Sequence, residues 1–192
     1  MSNRCSPGLL ALYAATFLLA ACGKDSSPPA PAATAEAPAA APAANAPIPA
    51  DQLGATLALV GKPAYDSSSD TLHVRISITN TGRVALSGEA PHIFNLGVML
   101  VGPDGPDKAP GKRDFARVSL PRVEPNARTE VDAVLPAEPL LNLAVRADLV
   151  QEYVSWFAGY GFAPLEIGTF RRCDGQPHTL CDDSGNPVSA SQ

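Results

Sequence analysis

Between Asp51 and Phe170 apolar residues recur at every second position, the period of a strand with one face buried. Leu53, Ala55, Leu57 and Leu59 form the first such row. Leu72, Val74, Ile76 and Ile78 alternate with His73, Arg75, Ser77 and Thr79, and Asn80-Thr81-Gly82 closes that strand as a turn. Further strands are predicted over Ile93 to Val101, Phe115 to Leu120, Val131 to Leu135 and Leu165 to Phe170. The longest row is Leu141, Leu143, Val145, Ala147 and Leu149, with Asn142, Arg146 and Asp148 on the opposite face. No stretch after Asp51 carries a 3.6-residue apolar repeat. About seven short strands with turns between them, over about 120 residues, predict an all-β chain folded as one immunoglobulin-like β-sandwich, residues 51–170.

Ahead of it the pattern collapses. Lys24 to Ala50 contains 12 alanines and 7 prolines in 27 positions. Proline removes backbone donors and blocks helix, so residues 22–50 are expected to be a disordered, solvated tether. Extended at about 3.1 Å per residue, it would reach on the order of 80 Å.

Before the tether, Arg4 precedes an apolar run from Leu9 to Ala21. That run suits a signal peptide over residues 1–21 but is short of the about 20 apolar residues a spanning helix needs. The stretch Leu19-Ala20-Ala21-Cys22-Gly23 resembles the lipobox of bacterial lipoproteins. The resemblance implies that Cys22 takes a diacylglycerol, that the bond before it is cut, and that the new amine is acylated. Gly23 stands where lipoproteins kept at the inner membrane often carry Asp, so the analogy points to the outer membrane, on its periplasmic leaflet.

Charge excludes one class of partner. The net charge is −5 and no basic cluster exceeds the pair Arg171-Arg172, so no nucleic-acid footprint exists. Membrane attachment should come from the lipid on Cys22 rather than from basic residues. With Cys5 lost with the signal and Cys22 acylated, Cys173 and Cys181 remain. In an exported chain such a pair reads first as a disulfide. Free thiols, or a metal site completed by His178 with Asp182 or Asp183, stay open. Arg171 to Gln192 reads as a polar tail, loosely attached and pinned by its own small loop.

A further resemblance rests on motifs in fixed order: Asn80-Thr81-Gly82, His92 to Gly97, Arg117 to Pro121, Asp148 to Glu152, Ser155-Trp156-Phe157 and Gly161 to Leu165. Together they resemble the C-terminal sugar-recognition domain of O-antigen polysaccharide ABC transporters and the accessory domains of glycosyltransferases. The likeness covers roughly residues 70 to 168, and no tryptophan follows Asn80-Thr81-Gly82, where related modules commonly have one. It implies an immunoglobulin-like fold and a glycan ligand, with no catalytic residues.

No nucleophile elbow or phosphate-cradling loop is present, and the carboxylates are not spaced to force a pair together. His73 and His92 read as solvated and turn residues, and Asp66 with Asp70 as a solvated turn rather than a Ca²⁺ loop. An enzyme is not expected, nor a cofactor. The richest feature is the aromatic cluster Tyr153, Trp156, Phe157, Tyr160 and Phe162. Trp156 and Tyr160, with Gln151 and Glu152 beside them, are candidate ligand contacts; core packing of Trp156 is the competing reading. Strand phase places Tyr153 and Phe157 inside and Trp156 outside, with Gln151 interrupting the inward row. The expected function is a non-enzymatic module that binds or assembles with an envelope protein; the alternative is binding of an envelope polysaccharide.

Overall fold

A strand whose apolar side chains leave on one face must press that face against another sheet. The computed structural model describes residues 46–190. The expected signal, Cys22 and most of the Ala/Pro run lie outside the described residues. The strands are β1 Ala55–Leu59, β2 Ala64–Asp66, β3 Thr71–Asn80, β4 Phe94–Val101, β5 Lys112–Ser119 and β6 Arg128–Pro136. They continue as β7 Ala144–Gln151, β8 Ser155–Trp156, β9 Leu165–Cys173, β10 Gln176–Asp182 and β11 Ser189–Ala190. Among the described residues helix is confined to short 3-10 turns such as Phe157–Tyr160.

In the first sheet β6 runs antiparallel to β3 from Thr71↔Pro136 to Thr79↔Arg128. The other side of β3 is shared by β1 and β2, and β11 lies parallel to β2. The second sheet has the order β10-β9-β7-β4-β5, with β8 paired to the end of β7. This is an all-β, immunoglobulin-like sandwich. Leu72, Val74, Ile76 and Ile78 of β3 are at most 1% exposed and pack in one cluster with the inward rows of β4, β6 and β7. Each such side chain stabilises the fold by roughly 1.5–3 kcal/mol.

Asn80 shows how the loops are fixed. It is fully buried, and its amide donates to the carbonyls of Val84 and Val123 while its side-chain oxygen accepts the Gly82 N–H. The turn it closes lies against Gly54, where an added Cβ would sit 2.7 Å from Thr81 Oγ1 and 2.8 Å from Gly82 N. Only glycine allows that approach.

Both expected borders move outward. Ile48 is buried, and the Gln151 side chain, itself inside the sandwich, donates to Ala46 O at 2.9 Å. The folded part therefore takes in residues 46–50, which composition had placed in the tether. At the other end, Arg171 to Ala190 is not a loose tail. β9 runs on to Cys173, β10 returns along it, and Leu180 is fully buried. Cys173 and Cys181 form a disulfide, Cα–Cα 5.2 Å, across that hairpin. Arg172 ties the hairpin to the first sheet through Tyr65 Oη at 2.8 Å, Asp70 at 2.8 Å and Glu138 at 3.2 Å.

Two consequences can be measured. Leu180→Ala should cost about 2–5 kcal/mol, as for other buried leucines. Reduction of Cys173–Cys181 should lower the melting temperature by several degrees, because the chain it restrains is part of the core. Calorimetry with and without reductant checks both, and an unchanged transition in either case would show the hairpin to be peripheral.

Candidate functional site on the outer face of the second sheet

The site is built where β7 turns back into β8. Gln151 pairs with Ser155, leaving Glu152, Tyr153 and Val154 as the loop, with the Val154 N–H bonded to Gln151 O at 3.1 Å. Alternation along β7 sends Val145, Ala147, Leu149 and Gln151 inward and leaves Arg146, Asp148 and Val150 on the outer face. Trp156 pairs with Val150 and shares the outer face, while Phe157 is buried in the core. Tyr153 does not follow the phase expected for it. The tight turn puts it at φ +63°, and its side chain is 91% exposed.

Half-buried Trp156 lies over Gly97 of β4, which pairs with Asp148 on one side and Arg117 on the other. A Cβ on Gly97 would stand 2.4 Å and 2.5 Å from the indole ring, so the ring fills the space a side chain would occupy. The Arg117 guanidinium lies 4.4 Å from the ring centroid and that of Arg113 lies 6.0 Å away. Both are cation–π contacts. Neither arginine is free: Arg117 is paired with Asp114 and with Glu152 at 3.1 Å, and Arg113 with Asp107 at 2.6 Å. Glu152 also accepts a hydrogen bond from Asn95 at 2.7 Å.

Under this layer is Asp148, 1% exposed. One carboxylate oxygen accepts the Leu149 N–H and the other the Ala158 N–H, each at 2.8 Å. Burial raises its pKa to about 6; the two N–H bonds and the charge of Arg113 oppose the rise without cancelling it.

The sequence candidates separate accordingly. Trp156 and Glu152 come together on the outer face. Gln151 does not join them, because its amide is spent inside the sandwich on Ala46 O and the Ile48 N–H. Nor does Tyr160, which packs edge-on against buried Phe157, ring centroids 6.3 Å apart, on the core side. A two-ring platform of Trp156 and Tyr160 is thus not formed. With Cys173 and Cys181 joined, no thiolates remain for His178 and Asp182 or Asp183 to complete as a metal site. Among the described residues no group of three or more His, Cys, Asp or Glu could hold a metal ion. Asp66 caps its own turn, accepting from Ser68 N–H, Ser68 Oγ and Ser69 Oγ, which lowers its pKa to about 2. Arg113, Arg117 and Gly97 are not among the candidate ligand contacts read from the sequence, although Gly97 and Arg117 stand in the motifs that carry the family resemblance. The signal for Gly97 was there: a glycine inside a strand marks a close approach of another group.

No protein-family model matches the chain, and no curated protein matches it. Similar solved structures include β-glucosidase 3B from Thermotoga neapolitana in complex with glycerol and in complex with glucose. Each is 17% identical, with a TM-score of 0.35, over 60% of this chain and 16% of the other. The chain thus spans a small part of those enzymes, and a likeness at that score carries no argument.

Gly97→Ala should push the indole off the sheet, costing about 1–3 kcal/mol as overpacking does. Trp156 is the sole tryptophan, so its emission reports directly. A red shift and stronger acrylamide quenching are expected. An unchanged spectrum would show that the ring does not depend on the bare backbone at Gly97.

Proposed function

We propose that this chain is a lipid-anchored envelope protein whose immunoglobulin-like domain is a non-enzymatic protein-binding module, with the contact surface centred on Tyr153 and Trp156. The observation that carries this reading is Tyr153. It is a large side chain held in the left-handed region at a hairpin tip and exposed over 91% of its surface. Asn or Gly would fit that backbone with less strain, and water would favour a polar group. A tyrosine that contributes nothing to the core and strains its own turn is explained by a partner. Tyr, Trp and Arg are the residues that dominate protein contacts, and Arg113 and Arg117 stand beside Trp156. The polysaccharide reading draws less support, since Arg117 stacks on the indole and Tyr160 is turned to the core.

The anchor belongs to the same proposal through the pattern around Cys22, which favours the periplasmic leaflet of the outer membrane. Cys22→Ser should leave the chain uncut at that bond and unlabelled by a fatty-acid probe, because serine cannot supply the thiolate. Continued labelling would sink the anchor without touching the binding surface.

For the surface, a photo-crosslinking residue in place of Tyr153 should trap one envelope protein in cells. The same residue in place of Arg75, which is exposed on the other sheet, should not. Tyr153→Asn should fold at least as well as the parent, within about 1 kcal/mol, and compete poorly for that partner. A glycan adduct at 153 would favour the polysaccharide reading. Equal trapping at 75 and 153 would remove this face as the interface.

A further inference from the structure

The segment Ser155–Tyr160 lies as a flap on the second sheet, with Trp156 seated over Gly97 and Tyr160 packed on Phe157. Two β8 pairs, Val150↔Trp156 and Gln151↔Ser155, hold its start, and Phe157 plugs into the core. Its middle is held by the bond from the Ala158 N–H to Asp148. That acceptor is unusual among the buried groups of this domain. It is a carboxylate with almost no exposure, and no cation touches it.

The charged groups around it are committed elsewhere. On β7, Arg146 is paired with Glu166 at 2.6 Å, and Glu152 with Arg117 and Asn95. On β5, Arg117 is held by Asp114 and Glu152, and Arg113 by Asp107. On the same face β4 contributes Asn95, Gly97 and Met99, and the flap contributes Trp156 and Ala158, none of which titrates in this range. The charge on Asp148 is therefore stabilised by two N–H groups and by Arg113 at a distance, and opposed by its loss of water.

We infer that Asp148 is a latch that makes the hold on the Ser155–Tyr160 flap pH-responsive, tight in acid and looser near neutrality. The direction follows from proton binding. With the flap closed the carboxyl is buried and keeps its proton up to a pH of about 6. With the flap lifted, water reaches it and its affinity for a proton falls toward the usual value of 3.8. The closed form binds the proton more tightly, so raising the pH shifts the balance toward the open form. About two pH units of difference set a ceiling of about 100-fold on the change in the opening constant. The device is independent of what Tyr153 contacts, although a partner that grips Trp156 would feel it.

Amide exchange of Ala158 in the full chain, followed by NMR from pH 4.5 to 7.5 and corrected for the intrinsic rate, tests this. Amides of β3 serve as the reference for global opening. The opening constant read at Ala158 should exceed that at β3 at every pH, which marks the opening as local, and should rise tens-fold, reaching half its plateau at a midpoint near 6; Asp148→Asn should flatten the profile. Arg113→Gln, which removes the attractive charge but not the latch, should move the midpoint upward and decides the matter if Asp148→Asn does not fold. Constant protection in the parent would overturn the inference. So would a fall that persists in Asp148→Asn, or a midpoint that stays or drops in Arg113→Gln.

Discussion

The structure depends on two strands, β3 and β7, each hydrogen-bonded on both sides and each presenting an inward row of apolar side chains that ends in one buried amide, Asn80 or Gln151. Burial of those rows against one another is the main stabilising term. It also removes water from the backbone of both strands, so every N–H and C=O there must find a partner in the sheet. Their neighbours follow from that requirement. β6 covers one side of β3, β1 and β2 share the other, and β4 and β9 flank β7.

Three polar side chains inside this frame show different ways of meeting the cost of burial. Asn80 and Gln151 are neutral amides, and each acts as a piece of spare backbone. The first gathers the loops at one end of β3, and the second clasps Ala46 and Ile48 to the end of β7. Asp148 carries a charge that such bonds do not fully compensate, and it is the one among them whose state depends on pH. That the charged one lies under the flap with Trp156, rather than under a sheet loop, links the electrostatics of the interior to the surface proposed for binding.

That surface is assembled from three elements far apart in sequence. β4 supplies a gap at Gly97, β5 supplies Arg113 and Arg117, and the β7–β8 hairpin supplies Glu152, Tyr153 and Trp156. The arginines are neutralised by their own carboxylate partners, so the face offers shape, aromatic area and fixed hydrogen bonds more than net charge. This composition suits a protein contact better than an anion or a polyelectrolyte.

Much of the fold was legible along the chain because period-2 alternation is a local property: each main strand follows from which positions are apolar. The inward phase cannot be carried from Leu149 past the turn, because the chain reverses between Gln151 and Ser155, and it placed Tyr153 on the wrong side. What sequence alone could not supply is whatever depends on a partner distant in the chain. Asp148 sits on the polar side of its strand, where a carboxylate should meet water, and only the returning flap buries it. Gln151 looked like a ligand contact because nothing local says that Ala46 will arrive to use its amide. The stretch after Phe170 read as a tail because its composition is polar, yet one buried leucine, one disulfide and Arg172 dock it. Alternation assigns a side chain to a face of a sheet; whether that face stays wet is decided by which other segment packs on it.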